Sequence, residues 1–206
     1  MMKTVIFVHK WVGLLIGIFV FVSCFSGLMM LIGRIGHWHS GMFQTMGRLH
    51  HDIFLGETGR MILGSSTLLL IIEIVTGYLI WGKIAGKLIY SSVEHGKSAW
   101  KGFTKSLSWR RPTIVHGLHT AGGWWAGIPL LLMALTGLAW SFGWYKDLLL
   151  LLFNCESSPK MMGTLMKLHA GGWGSVISQI LWAIFALVGV SLPVTGYMLT
   201  FRRRKK

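Results

Sequence analysis

Four long apolar runs divide the chain, at about Thr4 to Ile32, Gly59 to Trp81, Thr113 to Trp144 and Val176 to Phe201, with polar stretches between them. At about 1.5 Å rise per residue each can cross a hydrocarbon layer of about 30 Å. The pattern predicts an all-α fold: an integral membrane four-helix bundle forming one transmembrane domain over residues 1–206. Span 3 is expected to open just after Pro112, which suits the first turn of a helix, and span 4 to kink at Pro193. Arg34 to Thr58 reads as a partly helical interfacial segment, and Gly56 and Gly59 leave open whether His50 belongs to the second span. Residues 83–112 read as a loop in which basic residues alternate with Trp100, Phe103, Leu107 and Trp109, suited to resting on anionic lipid or docking a soluble partner. The run DLLLLLF, 147–153, is too short to cross and reads as a surface turn of helix.

The four runs are two hairpins. His9 to Gly27 and His119 to Gly137 both cover 18 positions (27 − 9 and 137 − 119), and His50 to Gly77 and His169 to Gly196 both cover 27 (77 − 50 and 196 − 169). A Ser/Thr-Gly pair closes each interval: Ser26-Gly27, Thr76-Gly77, Thr136-Gly137 and Thr195-Gly196. Small residues let membrane helices approach closely, and their hydroxyls bond back to the helix or across to a neighbour. On that basis the pairs are expected to shape the bundle.

Composition changes the picture in two places. With 53% hydrophobic residues and a mean hydropathy of +0.60, the chain is not an ordinary soluble domain. The net charge of +14 would fit nucleic-acid binding, but no nucleic-acid fold accompanies it. Of 20 basic residues, 14 fall at Lys3, Lys10, Lys83 to Arg111 and Arg202 to Lys206; Arg34, Arg48, Arg60, Lys146, Lys160 and Lys167 fall on the other side of a four-span chain. By the positive-inside rule both termini and residues 83–112 are expected in the cytoplasm, as in a multi-pass protein of a bacterial inner membrane. Phe21 to Cys24 is a poor lipoprotein-type cleavage site; cleavage there would discard His9, so the N-terminus is expected to stay as span 1. Cys24 and Cys155 are not expected to pair.

A repeated hairpin keeps its direction, so the halves should be related by a pseudo-two-fold axis along the membrane normal. That axis sets His9 opposite His119 at the cytoplasmic level and His50 opposite His169 at the outer level. Two opposed imidazoles with no cysteine or carboxylate ligand suit haem iron, which brings four equatorial nitrogens, better than zinc, which takes about four protein ligands. No CxxCH occurs, so a haem would be of b type. Spacing alone leaves room for structurally satisfied histidines and for another metal or a proton relay. Glu73, the acid well inside a span, is a candidate proton relay or a structural partner, and Arg60 a candidate propionate contact or a snorkelling side chain.

The segments HKWVGLLIGIFVF, LHHDIFLGETGRMILG, LHTAGGWWAGIPLLLMALTGLAWSF and SLPVTGYMLTF resemble the PepSY-associated transmembrane helix family. Some of its members are di-haem inner-membrane reductases of iron–siderophore complexes. The resemblance implies that His9, His50, His119 and His169 are axial ligands of two b-type haems, with His51 and His116 as adjacent alternatives. It implies a haem-dependent ferric siderophore reductase, or a subunit of one. The usual soluble periplasmic domain between spans 3 and 4 is replaced here by Tyr145 to Lys167. Electrons would come from quinol or a separate cytoplasmic reductase, because no dinucleotide fingerprint is present, and would pass to a ferric chelate or a periplasmic partner subunit. The competing expectation is a haem-free membrane assembly or transport component whose histidines bind a transition metal or protons.

Overall fold

The computed structural model describes residues 1–37, 41–108, 113–154 and 158–201, and all its elements among these are helices. His39, Trp109 to Pro112, Cys155 and the basic run Arg202 to Lys206 lie outside them. The elements are α1 (Met2–Ile35), α2 (Gly41–Asp52), α3 (Gly56–Glu94), α4 (Ala99–Ser106), α5 (Ile114–Ser141), α6 (Gly143–Leu152), α7 (Ser158–His169) and α8 (Val176–Phe201). Four of them, α1, α3, α5 and α8, are long and apolar enough to cross a membrane.

These four form a ring in which α1 and α5 each pack against both α3 and α8, so α1 faces α5, and α3 faces α8, across its centre. Large apolar side chains such as Phe7, Leu15, Leu79, Ile128 and Leu187 stand exposed on the outside, where lipid would cover them. The interior is built of small residues: Ser26 and Ala126 are fully buried, and Gly17, Gly64, Gly127 and Gly189 lie at helix contacts.

Two tyrosines join the halves. Tyr78 on α3 donates its hydroxyl to the Trp124 carbonyl on α5 at 2.8 Å, and Tyr197 on α8 donates to the Leu14 carbonyl on α1 at 3.0 Å. The contacts are symmetric copies: Trp124 and Leu14 each lie five positions after a histidine, His119 and His9. Each tyrosine needs a glycine opposite it. A Cβ on Gly127 would stand 2.6 Å from the Tyr78 oxygen, and one on Gly17 would stand 2.6 Å from that of Tyr197.

Two sequence expectations are revised and one open point is answered. Residues 83–112 are not a loop throughout: α3 runs on to Glu94, and its 39 residues span about 58 Å, well beyond a hydrocarbon core. Lys83 and Lys87 ride on that extension, because basic residues end a membrane span without ending a helix. The chain then returns as α4, where a Cβ on Gly102 would strike the α3 backbone at Ile89 (2.5 Å) and where Phe103 meets Trp81 and Trp124. The third span stops at Ser141 rather than Trp144, because Phe142 is extended (φ −128°, ψ 117°), and the chain restarts as the surface helix α6, which includes most of the leucine run. Finally, His50 is not on the second spanning helix. It closes α2, and positive φ angles at Ile53, Phe54 and Gly56 turn the chain into α3. The second half repeats this plan: His169 ends α7, and Gly171 (φ +65°) turns the chain toward α8.

Gly127→Val and Gly17→Val should each destabilise the bundle by about 1–3 kcal/mol, since the added methyls push a tyrosine off its carbonyl. Gly82→Ala, with nothing within 4 Å of the new methyl, should be neutral or slightly stabilising. Thermal unfolding of the three variants in detergent measures the contrast.

Candidate functional site

The ring brings the four histidines together as two pairs. At the first level, near the end where α1 begins and α8 stops, His9 of α1 faces His119 of α5 with ring centres 6.2 Å apart. At the second level His50 of α2 faces His169 of α7 at 5.9 Å.

Each ring is held by its Nδ1. His9 Nδ1 lies 3.0 Å from Thr76 Oγ1 on α3, and His119 Nδ1 lies 2.9 Å from Thr195 Oγ1 on α8. Those hydroxyls donate their own hydrogens back to the helix, Thr76 to the Ile72 carbonyl and Thr195 to the Ser191 carbonyl. What faces the imidazole is therefore a lone pair, and Nδ1–H is the donor. At the second level the acceptors include backbone. His50 Nδ1 donates to Ser23 O at 2.9 Å beside Ser26 Oγ at 3.1 Å, and His169 Nδ1 donates to Met133 O at 2.9 Å beside Thr136 Oγ1 at 3.1 Å. A carbonyl only accepts, so the tautomer is fixed there without appeal to the hydroxyl. In all four rings Nε2 keeps its lone pair. Burial, reinforced by the neighbouring His169 and His51 imidazoles, pushes His50 down to about 3, and burial also lowers His169, so both are neutral at physiological pH.

The glycine of each Ser/Thr-Gly pair completes the seat. A Cβ on Gly77 would lie 3.3 Å from His9 Cε1, on Gly196 3.4 Å from His119 Cε1, on Gly27 3.2 Å from His50 Cε1 and on Gly137 3.1 Å from His169 Cε1. The pairs thus do more than let helices approach: the hydroxyl accepts from the imidazole and the missing side chain admits its edge. Each seat holds a histidine of its own half, while each facing histidine comes from the other half.

A metal about 2 Å from each of two opposed nitrogens puts the ring centres about 6.3 Å apart, close to both observed separations. Among the described residues no group of three or more His, Cys, Asp or Glu side chains could hold a metal, so a bare ion would lack its usual ligand number here. A macrocycle that brings its own four nitrogens would not. At the first level the helices line a partly open cavity of about 1130 Å³ whose walls include His9, His119, Glu73, Gly13, Gly123 and Trp124.

The other named residues stand outside the two facing pairs. His51 is exposed and meets His50 edge to face at 5.6 Å. His116, one turn before His119, lines the first-level cavity with Nδ1 3.4 Å from Thr120 Oγ1. Arg60 is half exposed and pairs loosely with Glu57 at 3.7 Å on the first turn of α3. Glu73 reaches into the site itself, with Oε2 3.0 Å from His9 Nδ1. Its contact joins α3 to α1, and a one-dimensional reading had no means of finding it.

Nitrogen-resolved NMR of ligand-free, histidine-labelled protein checks the tautomers. His9, His50, His119 and His169 should all appear as the Nδ1–H form at neutral pH, and His50 should stay unprotonated as pH falls to 5. Assignment by single His→Gln variants identifies each signal.

No curated protein and no solved structure matches the chain. The family model described as PepSY-associated TM region matches residues 31–160, a stretch that holds His50 and His119 together with Ser/Thr-Gly pairs from both halves. The chain is a membrane protein and belongs to the PepSY-associated TM region family.

Proposed function

We propose that this protein is a di-haem b electron-transfer protein that carries electrons across a bacterial inner membrane to a ferric chelate at the outer face. The observation that carries the reading is the pair of facing imidazoles at each of two levels, ring centres 6.2 and 5.9 Å apart, with every Nδ1 engaged by its seat. His9 and His119 would hold one haem, and His50 and His169 the other. Haem b, when bound, supplies reversible one-electron chemistry at an iron with two open axial positions.

The chain supplies the rest. Thr76, Thr195, Ser26 and Thr136 orient the rings and fix the donor-ready tautomer. The tyrosine bonds across the halves hold the spacing between facing rings, and the apolar helices keep water and bulk oxidants away from the centre. The uneven spread of basic residues supports a cytoplasmic first level. There the hairpin of α3 and α4, carrying Lys97, Lys101 and Lys105, offers a cationic face to a soluble reductase, with quinol as the other donor. At the far side Arg48, Lys160 and Lys167 give a mildly cationic surface for an anionic ferric chelate or for a partner subunit that recognises one.

Purified protein should show a Soret band and sharp α bands on reduction. In proteoliposomes, added ferric siderophores should reoxidise the reduced protein, more slowly as salt rises. A protein without a Soret band would contradict the haem reading. Reoxidation by quinone but by none of several ferric chelates would keep the haems and remove the ferric acceptor.

A further inference from the structure

Around the first-level pair the two halves share the residues that seat the rings, while other wall positions differ, Leu14 against Trp124 and Ile6 against His116 among them. Thr76, Gly77 and Tyr78 correspond to Thr195, Gly196 and Tyr197, and Gly13 and Gly17 correspond to Gly123 and Gly127. Three positions before the threonine the halves part: the first has Glu73 and the second Leu192. Both side chains turn toward the equivalent glycine. A Cβ on Gly13 would lie 3.0 Å from Glu73 Oε2, and one on Gly123 would lie 3.8 Å from Leu192 Cδ2.

Glu73 is not needed to seat the ring. Thr76 Oγ1 already lies 3.0 Å from His9 Nδ1, and the matching Thr195 contact at 2.9 Å holds His119 with no acid beside it. Yet Glu73 adds Oε2 at 3.0 Å from the same nitrogen, its side chain is 12% exposed, and its other oxygen is buried with no hydrogen-bond partner. The ammonium of Lys10, the cation nearest His9 in the chain, lies 5.4 Å over the Trp11 ring. Burying a carboxyl with one oxygen unsatisfied is costly, and the second half shows the seat works without it. What the carboxyl adds is a second oxygen at the Nδ1 of one of two imidazoles that share the same threonine seat.

We infer that Glu73 makes the two axial imidazoles of the first-level haem unequal, acting through His9 as a positioning residue that lowers the reduction potential of that haem alone. The inference rests on the haem reading above. A carboxylate that accepts Nδ1–H draws the hydrogen toward itself and makes Nε2 a stronger electron donor, as second-shell carboxylates do for metal-bound histidines. In the couple Fe(III) + e⁻ → Fe(II) the ferric form carries the extra positive charge, so a nearby negative charge favours it. No bond is made or broken. The consequence is directional: an electron leaves the first level more readily, toward a second level whose seats are serine, threonine and backbone only.

The test is an optical and EPR redox titration of the full-length protein, comparing wild type with Glu73→Gln and Leu192→Glu. Glu73→Gln keeps the shape and an acceptor oxygen but removes the charge. It should raise the midpoint of one haem by a tenfold or larger change in its redox equilibrium, about 59 mV for one electron, and leave the other haem in place. Leu192→Glu should lower the same haem. Two haems with unmoved midpoints in both variants, or with both midpoints moved equally, would overturn the inference and leave the haem assignment standing. Should Glu73→Gln shed a haem, Leu192→Glu decides: a lowered midpoint supports the inference and an unchanged one overturns it. A wild-type protein without haem removes the underlying reading and this inference with it.

Discussion

Everything in this bundle depends on one contact made four times: an imidazole Nδ1–H donated to the end of a Ser/Thr-Gly step on a neighbouring helix. The contact has three simultaneous requirements. The hydroxyl must turn its own hydrogen back to the carbonyl four residues earlier, as Thr76, Thr195, Ser26 and Thr136 all do, so that a lone pair faces the ring. The next residue must be glycine, because Cε1 sits 3.1 to 3.4 Å from where a Cβ would be. The helices must meet at a fixed rotation and height. A buried donor left unpaired costs about 1–3 kcal/mol, so the four seats together strongly penalise any slip between helices. The tyrosine bonds then lock one half against the other, and the spacing of the facing rings follows.

The duplicated spacings were legible in the sequence because the seat demands them. If a histidine and a Ser/Thr-Gly step must lie at complementary heights in each hairpin, their separation along the chain is constrained, and both halves keep it. The spans were legible for a simpler reason, since only a helix satisfies its own backbone in hydrocarbon. What could not be read was who holds whom. His9 is seated by Thr76, 67 positions away, and His119 by Thr195, 76 positions away, contacts set by the relative rotation of packed helices rather than by any local pattern. The same limit hid the contact of Glu73 with His9 and left His51 and His116 as alternatives. In the fold His51 is exposed, and His119 rather than His116 faces His9. The helical extension of α3 was missed because lysines mark the membrane edge in sequence but do not stop a helix.

The symmetry is close but incomplete, and its breaks carry meaning. The second-level histidines end short helices outside the spanning segments, whereas the first-level ones lie within spanning helices. The two levels therefore present different fields to whatever binds between the rings. A duplicated hairpin supplies the two facing rings of each level, and small unshared features, Glu73 among them, make the two rings of the first level unequal.

The central claim is that four imidazoles act as two facing axial pairs, one pair per haem. Haem-to-protein stoichiometry by pyridine haemochrome, with spectra of the haem that remains, tests it most directly in four single His→Ala variants. The account predicts two haems in the wild type and one in each variant. His9→Ala and His119→Ala should retain the same spectral component, and His50→Ala and His169→Ala the other. Loss of the same component from His9→Ala and His169→Ala, or full haem content in any of the four, would contradict it.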